Sequence, residues 1–245
     1  MGLKKRKTKS FKSSVSNKSK TLHRNLEFTA TEQYKIIRAN LDFTLPPDEK
    51  CPVIGITSSM RGEGKSTTAI NLSYVLAERG NMVLLIDGDL RIPSIAQKMS
   101  IKNSLGLTDL LKSNGAQMSD FKSDILSNWY ILPSGAIPPN PSELLGSSKM
   151  ETVLNSFREV FDYIIIDLPP VNIVSDAVSV SRLITGMVVI VREEYTEKRE
   201  LDDCLRQLKM SNVNVLGCVI NEAKSEIGSY GKYKKGKYKK YYRYD

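Results

Sequence analysis

Short continuous runs of apolar residues alternate along this chain with segments in which apolar residues recur every three or four positions. Such runs are typical of strands buried on both faces, and the spaced segments predict helices. The strands are predicted at residues 53–57, 82–87, 129–135, 162–167, 187–192 and 215–221. Strands that alternate with helices indicate an α/β fold, with a doubly wound, mostly parallel sheet covered by helices on both faces.

The predicted helices complete this alternation. Residues 31–43 space Tyr34, Ile37 and Leu41 along one helix face, and Pro46 and Pro47 end that helix. Further helices are predicted at residues 65–79, 106–111, 150–160, 176–183 and 198–210. The segment NPSELL, residues 140–145, predicts a helix start with proline in its first turn. No internal repeat is visible, so the pattern favours one domain.

Positive charge is concentrated at the two ends of the chain. The 245 residues have a net charge of +9, but residues 1–24 hold nine Lys or Arg and no acid, and residues 224–245 hold eight basic and two acidic residues. The residues between them have a net charge of −6, which is not typical of a nucleic-acid-binding domain. We expect a basic disordered leader over residues 1–30, one folded domain over residues 31–223 and a disordered tail over residues 224–245.

The tail is rich in tyrosine and lysine. Residues 230–245 hold six of the eleven tyrosines and no aliphatic residue, so this segment cannot bury enough apolar surface to fold. Its tyrosines could stack on RNA, anchor at an anionic membrane, aid solubility, be a remnant of cloning or accept phosphate. The tail alone leaves nucleic-acid binding and phosphorylation equally open.

Several kinds of chemistry are excluded by composition. The three cysteines are too few and too scattered for a disulfide framework or a zinc site, and a reducing cytoplasm is expected. The only histidine, His23, lies in the basic leader, which excludes histidine-based triads. No apolar run is long enough to span a bilayer, and the start of the chain does not resemble a signal peptide. Any association with a membrane should be peripheral, and catalysis should depend on Asp, Lys, Arg and a metal bound by oxygen.

A glycine-rich loop follows the first predicted strand. Residues 59–66, SMRGEGKS, match the pattern GxxxxGK[ST] except at Ser59, and a helix follows the loop. Backbone amides and the helix N-terminus there can hold phosphates. Lys65 would reach the β and γ phosphates of ATP, and Ser66 would offer its hydroxyl to Mg²⁺. The segment predicts a P-loop NTPase whose nucleotide-binding residues are Ser59, Met60, Arg61, Gly62, Glu63, Gly64, Lys65, Ser66 and Thr67.

Carboxylates stand at the ends of two other predicted strands. Asp87 and Asp89 lie at the end of LLID and just beyond it, and Asp167 ends YIIID. The carboxyl ends of parallel strands meet at one edge of a sheet, where ligands bind in such folds. A single aspartate at a strand end is often only a loop cap. Three such carboxylates beside a phosphate loop predict instead a site that binds Mg²⁺ and a nucleotide.

Together these motifs resemble those of a known family. The loop of residues 59–66, the D-x-D-x-R element at Asp87, Asp89 and Arg91, and the hydrophobic-D-x-P-P element at Asp167 are similar to the Walker A, Walker A-prime and Walker B motifs of bacterial tyrosine kinases. The resemblance extends from about Glu32 to the tyrosine-rich C-terminus. It implies that residues 31–223 are a P-loop kinase domain and that the tail is its own substrate.

The resemblance also implies roles for individual residues. Lys65, Asp87, Asp89 and Asp167 would be catalytic; Asp87 would accept the tyrosine proton, and Ser66, Asp89 and Asp167 would hold Mg²⁺. Arg91 could orient Asp87 or a phosphate, or be only a loop charge. The implied sites of phosphorylation are Tyr230, Tyr233, Tyr238, Tyr241, Tyr242 and Tyr244.

Partners follow from the same resemblance. The chain is similar to the cytoplasmic half of a capsule or exopolysaccharide synthesis system, in which a separate membrane-embedded chain-length regulator activates the kinase. A cognate tyrosine phosphatase and other protein substrates are implied, and nucleic acid is not expected. Glu32, Lys35 and Arg38 stand at the positions of the family's E-x-x-R-x-x-R element, which implies a homo-oligomer such as a ring. Their spacing is equally typical of a solvated helix face.

Two alternatives compete with the kinase interpretation. A partitioning-type switch ATPase would have a signature lysine early in the phosphate loop, where this chain has Met60. Such a protein would also have no use for a cluster of tyrosines in a disordered end. A nucleic-acid-binding module would explain the tail but not the three carboxylates at the strand ends. We therefore expect a tyrosine autokinase that phosphorylates tails between subunits and whose self-association weakens as the tail gains negative charge.

Overall fold

Six parallel strands form the centre of the fold. The computed structural model describes Thr21 and residues 28–101, 105–112 and 121–223. The strands are β1 (Val53–Ser58), β2 (Val83–Asp87), β3 (Trp129–Leu132), β4 (Tyr163–Asp167), β5 (Gly186–Arg192) and β6 (Val215–Asn221). They pair in the order β3-β2-β4-β1-β5-β6, and every pairing is parallel. The predicted α/β P-loop fold is confirmed, and its sheet is wholly rather than mostly parallel.

Helices cover both faces of this sheet. They are α1 (Phe28–Thr44), α2 (Lys65–Glu78), α3 (Ile95–Met99), α4 (Leu107–Lys112), α5 (Pro141–Leu145), α6 (Ser148–Arg158), α7 (Asp176–Ser179) and α8 (Lys198–Met210). Helix α1 begins at Phe28, within the segment predicted as the leader. Helix α3 was not predicted, and the helix expected at residues 176–183 is the short α7 followed by a 3-10 turn, Ser181–Leu183. The rest of the predicted leader before Phe28, apart from Thr21, and the predicted tail lie outside the described residues.

Two apolar cores lie on the two faces of the sheet. One packs alternate strand residues such as Ile164 and Ile166 against α4, α6 and α8, and the other packs Ile54, Ile56 and Ile165 against α1 and α2. Side chains of successive strand residues point to opposite faces, so the continuous apolar runs supply both cores. No helix in the described part of the chain is long and apolar enough to cross a membrane.

Helix α2 is the most deeply buried helix next to the sheet. The indole N–H of Trp129, at the start of β3, donates a hydrogen bond of 3.1 Å to the Ser73 hydroxyl on α2. The ring of Tyr74 packs edge-on against the same indole, with 5.5 Å between ring centroids. These contacts fix α2 over the sheet, and its first residue, Lys65, is thereby held at the carboxyl edge.

The strand order brings the predicted acidic residues together. Strand β4 lies between β1 and β2, and Asp167 is the register partner of both Ile56 and Asp87. The phosphate loop follows β1, so it emerges beside the ends of β4 and β2. Because the strands are parallel, all these groups meet at one edge of the sheet.

Candidate active site

The loop between β1 and α2 has the backbone geometry of an anion-binding site. Gly62 and Gly64 have φ of 81° and 97°, in the left-handed region that favours glycine. Helix α2 begins directly afterwards at Lys65. Alternation of right- and left-handed residues turns successive amides into a concave nest, and a helix N-terminus adds its dipole. The loop can therefore hold phosphate groups with backbone N–H donors.

The first half of this loop is braced by a buried carboxylate. Glu63 is fully buried, and its oxygens accept hydrogen bonds from the Ser59 hydroxyl and the Met60 amide, both at 2.8 Å. The Thr196 hydroxyl donates to the same carboxylate. The Ser59 hydroxyl and the Met60 amide are thus engaged inside the loop, so the predicted nucleotide contacts of these two residues would need other atoms. The sequence pattern gave no sign of this role for Glu63.

Lys65 lies between two of the predicted carboxylates. Its ammonium nitrogen is 2.9 Å from Oδ2 of Asp89 and 3.8 Å from Oδ1 of Asp167. Burial by itself would lower the pKa of Lys65, but the charges of Asp167 and Asp89 outweigh it and raise the pKa above its ordinary value. Lys65 is therefore fully charged and ready to contact a phosphate.

Asp87 ends β2 and is completely buried. Its Oδ2 accepts hydrogen bonds from the amides of Ser94 at 3.0 Å and Ile95 at 2.9 Å, which explains why helix α3 begins there. Its Oδ1 has no hydrogen-bond partner among the described residues. Burial and the charge of Asp167 raise the pKa of Asp87 to about 7. A carboxylate with a pKa near neutrality and a free oxygen can accept a proton.

Asp167 is fully buried, and within the described ranges neither of its oxygens accepts a hydrogen bond. Burial raises its pKa, and the charge of Lys65 and the nearby Ser66 hydroxyl oppose that shift. A buried carboxylate without well-placed donors is costly unless a cation or a proton satisfies it. These orphaned oxygens therefore fit a divalent cation in addition to Lys65.

The set of residues predicted to bind the metal is small. Asp89 keeps one oxygen on Lys65 and accepts the Ile92 amide at 3.0 Å with the other. Across residues 28–101, 105–112 and 121–223, no group of three or more Cys, His, Asp or Glu could hold a metal ion. Mg²⁺ commonly takes only one or two protein carboxylates and completes its octahedron with phosphates and water. Asp89, Asp167 and the buried Ser66 are consistent with a cation that arrives with a nucleotide.

Arg91 does not orient Asp87. Its guanidinium forms a two-pronged ion pair with the buried Asp176, with Nε and Nη2 at 2.9 and 3.0 Å from the two carboxylate oxygens. The Ser142 hydroxyl, on α5, donates to the same carboxylate. The loop that carries Asp89 is thereby tied to the start of α7 and to α5. Asp176 was not singled out from sequence, because nothing in the local pattern pairs it with a residue 85 positions earlier.

The predicted interface residues lie on α1. Lys35 pairs with Glu32 at 2.9 Å, within one helix turn. Arg38 instead turns inward, and its guanidinium donates to the Val75 carbonyl of α2 at 2.5 Å. In the single chain, Arg38 thus fastens α1 to the helix that follows the phosphate loop. Self-association through these residues remains a prediction.

A cavity of about 1090 Å³ opens beside the phosphate loop and Asp89. Its lining includes Lys65 and Ser66, Asp89, one face of α1 and the end of β6. The cavity is large enough for a nucleotide and lies where the carboxyl ends of β1, β2 and β4 meet. Its geometry supports transfer of a phosphoryl group: a nest for phosphates, a lysine, buried carboxylates and a proton acceptor.

Known proteins are similar to this chain in sequence and in fold. A family model described as an AAA domain matches residues 51–210. The chain is 36% identical over 205 residues to tyrosine-protein kinase YwqD of Bacillus subtilis (strain 168), covering 82% of this chain and 86% of that protein. It is 34% identical to the chimerical protein CapA2B2, whose crystal structure superposes with a TM-score of 0.74 over 79% of this chain and 85% of that one.

A protein of another kind is also similar, at a greater distance. The septum site-determining protein MinD of Pyrococcus horikoshii, solved with Mg-ADP, is 27% identical with a TM-score of 0.56, over 72% of each chain. The two kinds of protein therefore share the fold. The sequence identities to YwqD and CapA2B2 are higher than the identity to MinD. The TM-score with CapA2B2 is also higher than that with MinD.

Proposed function

The chain belongs to the family of bacterial tyrosine-protein kinases, and on that premise we propose that it is an autokinase that transfers phosphate from ATP to its own C-terminal tyrosines. The observation that carries this proposal is the position of Lys65, between Asp89 and Asp167 and at the start of α2. A phosphate that entered the loop would meet this lysine first. The carboxylates beside it would then face the reacting oxygens.

The chemical step needs few covalent partners. The tyrosine oxygen attacks the γ phosphorus, the bond from phosphorus to the ADP oxygen breaks, and the phenolic proton passes to the free Oδ1 of Asp87. Lys65 stabilises the negative charge on the transferring group. Ser66, Asp89 and Asp167 would hold Mg²⁺, which supplies charge neutralisation on the β and γ phosphates.

The acceptors proposed for this step are six tyrosines of the tail: Tyr230, Tyr233, Tyr238, Tyr241, Tyr242 and Tyr244. Transfer is proposed to occur in trans, between copies that associate through Glu32, Lys35 and Arg38 of α1. The tail carries a net charge of +6, which would draw it toward the carboxylates of Asp87 and Asp167 in a neighbouring copy. Each phosphate adds about −1.5 to −2, so phosphorylation of most tyrosines reverses the sign and would release the tail.

The biological setting is proposed from the family resemblance. The chain would work in capsule or exopolysaccharide synthesis at the inner face of the cell membrane, held there by a membrane-embedded regulator that activates it. The similarity to the chimera CapA2B2 supports a search for a partner segment that packs on this fold. A tyrosine phosphatase would reset the tail, and other proteins could serve as substrates.

The partitioning-type switch ATPase remains the second candidate, because MinD shares the fold. Met60 stands where such switches carry their signature lysine, and its amide is bonded to Glu63 rather than offered to a phosphate. The Met60 side chain is uncharged, so it cannot supply the positive charge of that signature lysine. The kinase is therefore the function that these residues support best.

One experiment separates the two functions. The full chain is incubated with ATP and Mg²⁺, alone and with the cytoplasmic segment of a candidate activator, and modified residues are mapped by mass spectrometry. We expect phosphotyrosine within residues 230–244, abolished by Lys65→Met and retained by the control Lys149→Met on α6. Hydrolysis of ATP without phosphotyrosine in the presence of the activator would favour the switch and overturn the kinase proposal.

A further inference from the structure

Three consecutive carbonyl groups of the phosphate loop accept hydrogen bonds from side chains outside the loop. The bonds are Tyr195 Oη to the Arg61 carbonyl at 3.1 Å, Arg192 Nη1 to the Gly62 carbonyl at 3.2 Å and Asn221 Nδ2 to the Glu63 carbonyl at 2.9 Å. Arg192 ends β5, Tyr195 follows it in the turn before α8, and Asn221 ends β6. We call these three donors the carbonyl clamp.

The clamp determines where the loop amides point. Each peptide unit is planar and trans, so its N–H is directed opposite to its C=O, and no cis peptide occurs in the described residues. With the carbonyls of residues 61, 62 and 63 held by the clamp, the amides of Gly62, Glu63 and Gly64 are directed away from it. Those amides belong to the part of the loop that is not engaged by the Glu63 carboxylate.

The two glycines of the loop are in direct contact with the clamp. A Cβ added to Gly62 would lie 3.2 Å from the Tyr195 hydroxyl, and one added to Gly64 would lie 2.0 Å from the Asn221 amide nitrogen. Both positions also have positive φ. Glycine is thus required at these positions for its backbone conformation and for the close approach of the clamp.

The clamp residues are themselves held in place. The Arg192 guanidinium lies 4.9 Å from the centre of the Tyr195 ring and pairs with Glu222 at 2.6 Å. The Arg192 amide donates to the Thr196 hydroxyl at 2.9 Å, and that hydroxyl donates to the Glu63 carboxylate. The donors are therefore arranged before a nucleotide arrives, so binding requires little reorganisation.

We propose that Arg192, Tyr195 and Asn221 are positioning residues for ATP: they hold three loop carbonyls outward and so direct three loop amides at the β and γ phosphates. They act through the backbone and need not touch the transferring group. The clamp concerns nucleotide binding, so it can be tested apart from phosphorylation of the tail. Failure of one idea does not imply failure of the other.

The test uses two isosteric variants of the full chain. Tyr195→Phe removes only a hydroxyl from a ring that is 52% exposed, and Asn221→Asp keeps the shape but replaces a donor with an acceptor. The affinities for ADP and for AMP are measured by competition with a fluorescent ATP analogue. Tyr163→Phe is the matched control, because it removes a hydroxyl that donates to Asp42 at 3.3 Å, away from the loop.

We expect Tyr195→Phe to weaken ADP binding roughly three- to tenfold, the factor that corresponds to one net hydrogen bond, and Asn221→Asp to weaken it more. AMP, which lacks the β phosphate, should change less than about twofold, and KM for ATP should rise with kcat nearly unchanged. The control Tyr163→Phe should bind ADP and AMP as tightly as the unmodified chain. The melting temperature of Tyr195→Phe without nucleotide should also equal that of the unmodified chain. The proposal is overturned if ADP affinity is unchanged in both variants, or if ADP and AMP weaken by the same factor.

Discussion

The ammonium group of Lys65 donates a hydrogen bond of 2.9 Å to Oδ2 of Asp89. A nucleotide must therefore compete with a carboxylate for this lysine. Asp89 opposes phosphate binding until a cation neutralises its carboxylate. Asp89 would then help to hold that cation. One side chain thus has opposite effects with and without Mg²⁺.

Asp89→Asn separates these effects. Without divalent cations, ADP should bind roughly tenfold more tightly, because a charge-assisted hydrogen bond on Lys65 is weakened and a repulsive charge is removed. With Mg²⁺, tyrosine phosphorylation should fall by about a hundredfold or more, since a negative ligand is lost. Calorimetry in EDTA and a phosphotransfer assay measure the two quantities. Asp202→Asn, on the exposed side of α8, should change neither; a fall in both affinity and activity would contradict the competition.

Comparing Gly64→Ala with Gly80→Ala separates two effects of an added Cβ: a steric clash with a neighbouring side chain, and strain of a backbone with positive φ. Both glycines have positive φ, 97° and 105°, but only Gly64 has an atom within 4 Å of an added Cβ. Gly80→Ala should cost about 1–2 kcal/mol of unfolding free energy and leave nucleotide affinity unchanged. Gly64→Ala should also weaken ADP binding by at least about tenfold, because Asn221 must move. Urea unfolding and ADP titration give the two numbers, and equal ADP affinities would refute the distinction.

Removing Arg91 should destabilise the fold more than neutralising its partner Asp176. Asp176 is fully buried, whereas the Arg91 side chain is 40% exposed. Arg91→Ala leaves a buried carboxylate with only hydroxyl partners and should destabilise the fold by about 3–5 kcal/mol. Asp176→Asn frees an arginine that can reach water and should cost less than half of that. Urea unfolding at neutral pH measures both, and the reverse order would show that Arg91 does not neutralise Asp176.

Alkaline pH should reveal the burial of Cys204. Burial raises the pKa of this thiol to about 12, above the unfolded value of about 8.5. Between these values the unfolded chain loses a proton that the folded chain keeps, so the unfolding free energy falls as pH rises, by about 1.4 kcal/mol per pH unit for this one group. The contribution of Cys204 to the unfolding free energy is fully present below the pKa of the unfolded chain. It is lost as the pH rises toward the pKa of the folded chain. Between pH 9 and 11, the unfolding free energy of Cys204→Ala should fall less steeply with pH than that of the unmodified chain, by the same amount per pH unit. Curves that run parallel for the two proteins would contradict this prediction.

Much of the fold follows from local sequence. The apolar runs ending in Asp87 and Asp167 predict buried strands because only strands covered on both faces tolerate such continuous apolarity. The phosphate loop is recognisable because glycine spacing and the lysine are adjacent in the chain. The bacterial tyrosine kinase resemblance and the P-loop fold were therefore predictable and are confirmed.

The remaining features depend on contacts between distant residues. Helix α3 begins where the Asp87 carboxylate accepts two amides, and propensity does not reveal such a cap. Arg91 was associated with Asp87 because they are neighbours in sequence, but its partner is Asp176, brought close by the fold. The clamp is invisible for the same reason: Tyr195 lies in an ordinary turn, and its role depends on packing against a loop 134 residues earlier.

The last residue of β6 has a thermodynamic consequence for the whole sheet. Among the described strands β6 is at the edge and pairs only with β5, and an edge strand opens more readily than a central one. Asn221 belongs to that strand, so local opening of β6 withdraws one support of the phosphate loop. The coupling is reciprocal: if opening of β6 weakens nucleotide binding, bound nucleotide makes β6 open less often. Amide hydrogen exchange in β6 should then slow by the same factor by which the opening lowers nucleotide affinity. A protein that seated against this edge and suppressed its fraying would tighten ATP binding without entering the site.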